Sequence, residues 1–158
     1  MKKETSFIIL CLTTLSVLHF DYSRAQLNGK VNLEEAREAI AESNALYFQA
    51  YIKDAVLLLT NLYADDCWVM LPNAPALCGP DAPFDFFRIT YHQLGIRNGK
   101  LMTIDVYGIS EDIVAEIGFW KLYNADNIEF KDGGYLVLWK KTSKGWKRWR
   151  DSFTNRQK

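Results

Sequence analysis

Few residues in this chain could do chemistry, and the densest group is the segment LYADDCWVMLP (62–72), where Asp65 stands beside Asp66. Paired carboxylates can take a proton from a substrate. Aspartates also end helices and turn chains by accepting from nearby backbone N–H groups, so a catalytic pair and plain punctuation are both open. Cys67 and Cys78 flank NAPA (73–76), a turn sequence. They could lie opposite each other on a hairpin as a disulfide, or be two independent thiols. Asp151, in WKRWRDSF (146–153), is the most informative acid. Strand alternation sets it on one face with Trp149 and Phe153, where a carboxylate needs a partner or must stay wet. It could act as a general base, anchor the polar end of a ligand, or pair with a basic neighbour. His92 is the only histidine beyond the first 25 residues and is expected at the surface near a helix end. No CxxC or HxxxH spacing exists, so no metal site is expected, and no cofactor is assigned.

The elements that must hold these residues can be read from periodicity. Asn32, with Glu35 three residues on, reads as a capping box. Ala36, Ala39, Ile40, Ser43, Leu46, Tyr47, Ala50 and Tyr51 then follow one face of a helix to about Lys53. Asp54 reads as the N-cap of a second helix over 55–63. CWVML (67–71) is a strand stopped by Pro72. On it Trp68 and Met70 alternate with Cys67, Val69 and Leu71, so one set lines the core and the other a cavity. Phe84, Phe87, Tyr91 and Leu94 give 82–94 a helical spacing.

The remainder reads as strands at 101–109, 113–123, 128–141 and 146–153, joined by tight turns, with Asp132-Gly133-Gly134 a candidate bulge or kink. Tyr135, Val137 and Trp139 share one face; Leu136, Leu138 and Lys140 share the other. On the last strand Lys147, Trp149, Asp151, Phe153 and Asn155 alternate with Trp146, Arg148, Arg150, Ser152 and Thr154. Helices first and antiparallel strands after make an α+β pattern, one curved sheet wrapped round N-terminal helices with a pocket between.

The first residues read as an export signal. Lys2 and Lys3 precede the apolar run FIILCLTTLSVLHF (7–20), and SRA-Q (23–26) offers small residues for cleavage after Ala25. A run of fourteen residues is short for a membrane span. Ile9 and Leu10 before Cys11 do not suit lipid attachment. Residues 1–25 are therefore expected to be removed, leaving one domain over 26–158, periplasmic or secreted, with no membrane association after processing. The 19 basic and 19 acidic residues balance, which gives no footprint for nucleic acid. Eight Lys/Arg against one Asp from Trp139 onward read as a solvated face.

The order of these elements, with ALYFQAYIKDAVLLLTNLYADDCWVMLPNAPALCG (45–79) and YLVLWKKTSKGWKRWRDSF (135–153), resembles the nuclear transport factor 2-like, SnoaL-like superfamily. Its closest branch is the ketosteroid-isomerase-like domain of unknown function 4440. The resemblance implies a cone of one long helix and a bent sheet, and a dimer formed through the sheet. The steroid isomerases carry their base immediately before the strand-ending proline, which is Leu71 here. Their tyrosine donor falls on Tyr47. Their protonated aspartate falls near Val137 or Leu138. One of three catalytic groups is retained. Asp65–Asp66 match the helix-to-strand punctuation of the family.

Three readings of function follow. The first is an exported domain binding a small, mostly apolar molecule among Tyr47, Trp68, Met70 and Tyr135, with Trp139, Trp149 and Asp151 completing the site. The second is an isomerase, dehydratase or hydrolase with Asp151 as base and Tyr47 as donor. The third is a dimeric assembly module with a vestigial pocket.

Overall fold

A computed structural model describes residues 32–156. The expected leader over 1–25 lies outside these residues. Helix α1 (Leu33–Ile52) begins where Asn32 Oδ1 accepts the Glu35 backbone N–H at 3.2 Å. The reciprocal half of the capping box is replaced, because the Glu35 carboxylate instead takes Lys141 from a distant strand. A short α2 (Val56–Thr60) follows. Asp54 does not cap it. Asp54 sits in the left-handed region, φ 50°, and Ala55 is the N-cap. A single αL residue is where short polar side chains reverse a chain.

Strand β1 (Tyr63–Met70) starts earlier than CWVML and takes Asp65 and Asp66 into the sheet. It pairs with the two-residue β2 (Leu77–Cys78). Helix α3 (Ala82–Arg88) runs into a π-turn (Ile89–Gln93), where Thr90 Oγ1 donates to Phe86 O at 2.7 Å. Of the expected face Phe87 is buried, together with Phe86 and Thr90, while Phe84 and Leu94 are exposed. His92 is exposed, as expected.

Four long strands complete the chain: β3 (Asn98–Gly108), β4 (Ile113–Tyr123), β5 (Glu129–Thr142) and β6 (Gly145–Asn155). The curved, unclosed sheet has the order β2-β1-β6-β5-β4-β3. All neighbours are antiparallel except β1 with β6. The α+β reading therefore holds. The ladder runs unbroken through Asp132-Gly133-Gly134, so the expected bulge is absent there. Gly133 is needed for another reason: a Cβ at that position would collide with the Trp120 indole and Thr154 O.

Bulges lie elsewhere, at Phe130 earlier in the same strand and in β6. Trp139 pairs with Arg148 and Leu138 with Arg150, which leaves Trp149 without a partner. One extra residue flips the faces beyond it. Trp146, Arg148 and Asp151 thus all point to the helix-covered side, whereas Trp149 turns outward. Helices pack on that inner face in two clusters. One joins α1, α2 and α3 to β1, through Tyr51, Leu59, Phe87 and Val69. The other joins α1 to β3–β6, through Ile40, Val106, Val137 and Trp139. Among the described residues no helix is long and apolar enough to cross a membrane.

Candidate functional site

Between α1, α3 and the inner face of the sheet lies a cavity of about 340 Å³. Tyr47, Phe48 and Tyr51 reach it from α1, and Phe86, Ile89 and Thr90 from α3 and its π-turn. Leu101, Trp120, Leu122 and Phe153 form the sheet wall. Leu71 and Pro72, at the end of β1, complete it on one side; Lys131 and Asn155 stand on another. Its size is at the lower end of small-molecule sites, roughly 300–1,000 Å³.

The polar atoms of this wall are mostly turned on each other. The Tyr51 hydroxyl bonds Thr90 Oγ1 at 2.8 Å, and Thr90 donates onward to Phe86 O. The Tyr47 and Tyr63 hydroxyls are 3.5 Å apart. Burial pushes the Tyr47 and Tyr51 phenols above their ordinary value of 10.0, so both keep their protons at neutral pH. They are donors and not bases. Among the described residues that line the cavity there is no Asp, Glu, His or Cys. No group of three or more potential metal ligands occurs among the described residues.

Tyr47 also touches a buried polar network. Asp151 and Arg148 are both 0% exposed and paired, Nη1 to Oδ2 at 3.0 Å. Tyr63 donates to the same Oδ2 at 2.6 Å. Arg148 Nη2 donates to Asn44 Oδ1, and Asn44 Nδ2 donates to Glu116 Oε1 at 2.7 Å. Thr103 and Tyr135 add two hydroxyl donors to that Oε1, each at 2.7 Å, and Trp139 Nε1 reaches Oε2 at 3.0 Å. The guanidinium is flanked by the rings of Tyr47 and Trp139, 4.7 and 4.8 Å from their centroids. Burial raises the Asp151 carboxyl above its ordinary value, against the pull of Arg148 and the Tyr63 hydrogen bond. Burial alone would lower Arg148, but Asp151, Tyr63, Tyr47 and Glu116 together outweigh it and hold the guanidinium firmly charged. Asp151 Oδ1 and Arg148 Nε find no partner among the described residues. An aspartate clamped by an arginine and a tyrosine is an internal ion pair, poorly placed to take a substrate's proton.

The candidate residues read from the sequence scatter across these two regions and the outer face. Of the seven, Tyr47 lines the cavity. Tyr135, Trp139 and Asp151 are buried in the polar network. Trp68, Met70 and Trp149 lie on the outer face, because Cys67 and Val69 take the buried positions of β1 and the bulge turns Trp149 away. The aspartate pair is outside too. Asp66 Oδ2 accepts Lys140 Nζ and Trp149 Nε1, both at 3.0 Å, and Asp66 O accepts Arg150 at 2.9 Å. It ties β1, β5 and β6 together around the bulge. Cys67 and Cys78 do not bond. Cys78 pairs in register with Trp68, so it shares Trp68's exposed face while Cys67 points into the core. Burial pushes the Cys67 thiol to about 11.

Glu116 escapes a reading of the sequence by motif. Its signal is present in VAEIGFW (114–120): Val114, Glu116, Gly118 and Trp120 fall on one face, and Val114 and Trp120 are strongly apolar. Arg148 is hidden by the bulge, and Asn44 by its place on a polar stretch of helix.

Solved structures with the same arrangement were found among proteins of low sequence identity. An NTF-2 like protein of unknown function from Shewanella oneidensis MR-1 is 14% identical, with 75% of this chain and 98% of that one covered at TM-score 0.63. A nuclear transport factor 2 (NTF2-like) superfamily protein from Salmonella enterica is 14% identical, over 77% and 91% of the chains, at TM-score 0.60. This chain has the nuclear transport factor 2-like fold. A ketosteroid isomerase-like protein from Erwinia carotovora atroseptica is 20% identical, over 80% and 99%, at TM-score 0.62. No protein-family model and no curated protein sequence matches the chain. Within the nuclear transport factor 2-like frame, Leu71 lies on the cavity wall directly before Pro72 and offers only carbon. Val137 is buried, and Leu138 faces the other side of the sheet.

Proposed function

We propose that this chain is an exported small-molecule-binding domain that holds a mostly apolar compound in its inner cavity. The observation that carries this reading is the wall itself: aromatic and aliphatic side chains, hydroxyls that satisfy each other, and no carboxylate or imidazole among the described lining residues. Such a surface gains by covering an apolar body with little polar desolvation. Export is supported by Lys2 and Lys3, the apolar run after them, and SRA-Q. The test is calorimetric titration with a neutral aromatic probe such as naphthalene-2-methanol, against wild type and Leu101→Trp, which fills the cavity. Saturable binding to wild type and its loss in a folded Leu101→Trp protein support the reading. Equal binding to both, or to neither, refutes it.

The isomerase-type alternative, with Asp151 as base and Tyr47 as donor, is weakened by the partners of Asp151. Its carboxylate already holds Arg148 and Tyr63. We expect no steroid Δ5–Δ4 isomerisation; ultraviolet absorbance of the conjugated product measures it, and turnover abolished by Asp151→Asn would reinstate the enzyme. A homodimer through the outer face of the sheet is part of the proposal, supported by exposed Trp68, Tyr107, Phe119 and Leu136 on that face.

A further inference from the structure

The cavity's chemistry is not uniform. Lys131 is the only charged residue among its described lining residues. It sits opposite Leu122 on β4, two residues before Gly133, and so on the inner face of β5. On β6, Asn155 pairs in register with Gly133 and also lines the cavity. An ammonium and a carboxamide from adjacent strands therefore stand at one side of an otherwise apolar chamber. The acids beside Lys131 in sequence are engaged elsewhere: Glu129 with Lys121 at 2.9 Å and Asp132 with Arg156 at 3.1 Å. No ion pair to Lys131 occurs among the described residues. A single positive charge beside low-dielectric walls, with no acid in the lining, attracts an anion and repels a cation.

We infer that the natural ligand is a small amphipathic monoanion, an aromatic or branched aliphatic carboxylic acid. Its carboxylate bonds Lys131 Nζ and the Asn155 amide, and its apolar body lies between Tyr51, Phe86, Leu101 and Trp120. The inference rests on the cavity being a binding site, as proposed above, and adds the class of compound and the end by which it is held.

The experiment compares three probes of one shape by titration calorimetry: naphthalene-2-carboxylate, naphthalene-2-methanol and naphthalene-2-methylamine. The proteins are wild type, Lys131→Ala and Lys131→Glu. Both substitutions fall on an exposed side chain, and folding is checked by circular dichroism. The expected result is a carboxylate bound about tenfold more tightly than the alcohol by wild type, an advantage that Lys131→Ala removes. Alcohol affinity stays unchanged in Lys131→Ala, and Lys131→Glu prefers the amine. Equal affinity for carboxylate and alcohol in wild type overturns the anion inference while leaving the cavity reading intact. So does a carboxylate preference that survives Lys131→Ala. Failure of all three probes to bind folded wild type overturns both.

Discussion

Asp151 and Glu116 are two carboxylates in one core with, among the described residues, only Arg148 between them as compensating charge, and their hydrogen bonds decide how much each can be altered. Removing one partner of a buried pair strands the other. Asp151→Asn is expected to cost about 3–5 kcal/mol, because Arg148 stays charged without its carboxylate. The double variant Arg148→Met/Asp151→Leu is expected to be markedly more stable than Asp151→Asn, since both desolvation costs vanish together. Urea unfolding of the three proteins measures this. A double variant as unstable as the single one would mean that a stranded Arg148 charge is not what destabilises Asp151→Asn. Thiol reactivity gives a second expectation. Cys67, with its thiol pushed to about 11 by burial, stays protonated at pH 8, while Cys78 is exposed. Iodoacetamide followed by peptide mapping should label Cys78 first and Cys67 only in denaturant. Equal labelling of the native protein would place Cys67 outside the core. At this scale the sequence was partly legible. An acid among aromatics needed a partner or water, and pairing with a basic neighbour was one of three roles open to Asp151, which pairs with Arg148. The partner could not be named, because Arg148 belongs to the inner face only through a bulge that alternation does not register.

The long elements were readable from period alone: α1 from its apolar stripe, and β3 to β6 from β-branched and aromatic runs broken by turns. What period cannot supply is an inserted residue. Trp149 is one residue too many in β6, and it moved Arg148 inside and itself outside. Asp65 and Asp66, read as punctuation between helix and strand, occupy an irregular stretch of β1 between Tyr63 and Trp68. Their roles differ. Asp66 holds Lys140, Trp149 and Arg150 across the bulge, while Asp65 is exposed with no side-chain bond among the described residues. Asp66→Ala is expected to lower stability by about 1–2 kcal/mol, the scale of an exposed charged hydrogen bond with some shielding. Asp65→Ala should stay within about 0.5 kcal/mol of wild type. Neither should change probe affinity in the cavity, which both side chains avoid. Thermal melting and calorimetry together check this. A selective loss of binding in either variant would revive the aspartate pair as a site.

For the whole molecule, helices cover one side of the sheet and leave the other to carry its own apolar surface. Successive register positions line up across four strands there: Ala115, Leu138 and Arg150 beside Trp68, then Ile117, Leu136 and Ser152 beside Met70, with Phe119 at the far end. Trp68, Tyr107, Phe119 and Leu136 are each between 45% and 47% exposed on this face, an apolar stripe that the proposed dimer would cover. A second copy brings the same stripe, which is the self-complementarity that a two-fold interface requires. A stable pair needs about 800 Å² from each partner, drawn here from the outer face of the sheet. Light scattering on the chain beginning at Gln26 should therefore give twice the protomer mass. Phe119→Glu with Leu136→Glu puts two carboxylates into the stripe, one in its middle and one at its end, so the mass should fall to one protomer. Circular dichroism should be kept, since neither side chain enters the core. Naphthalene-2-methanol should still bind the monomer, because the cavity lies on the opposite side of the sheet. A wild-type protein that scatters as a monomer at about 100 μM, a concentration well above the range of stable dimers, would sink the dimer and leave the stripe to another partner.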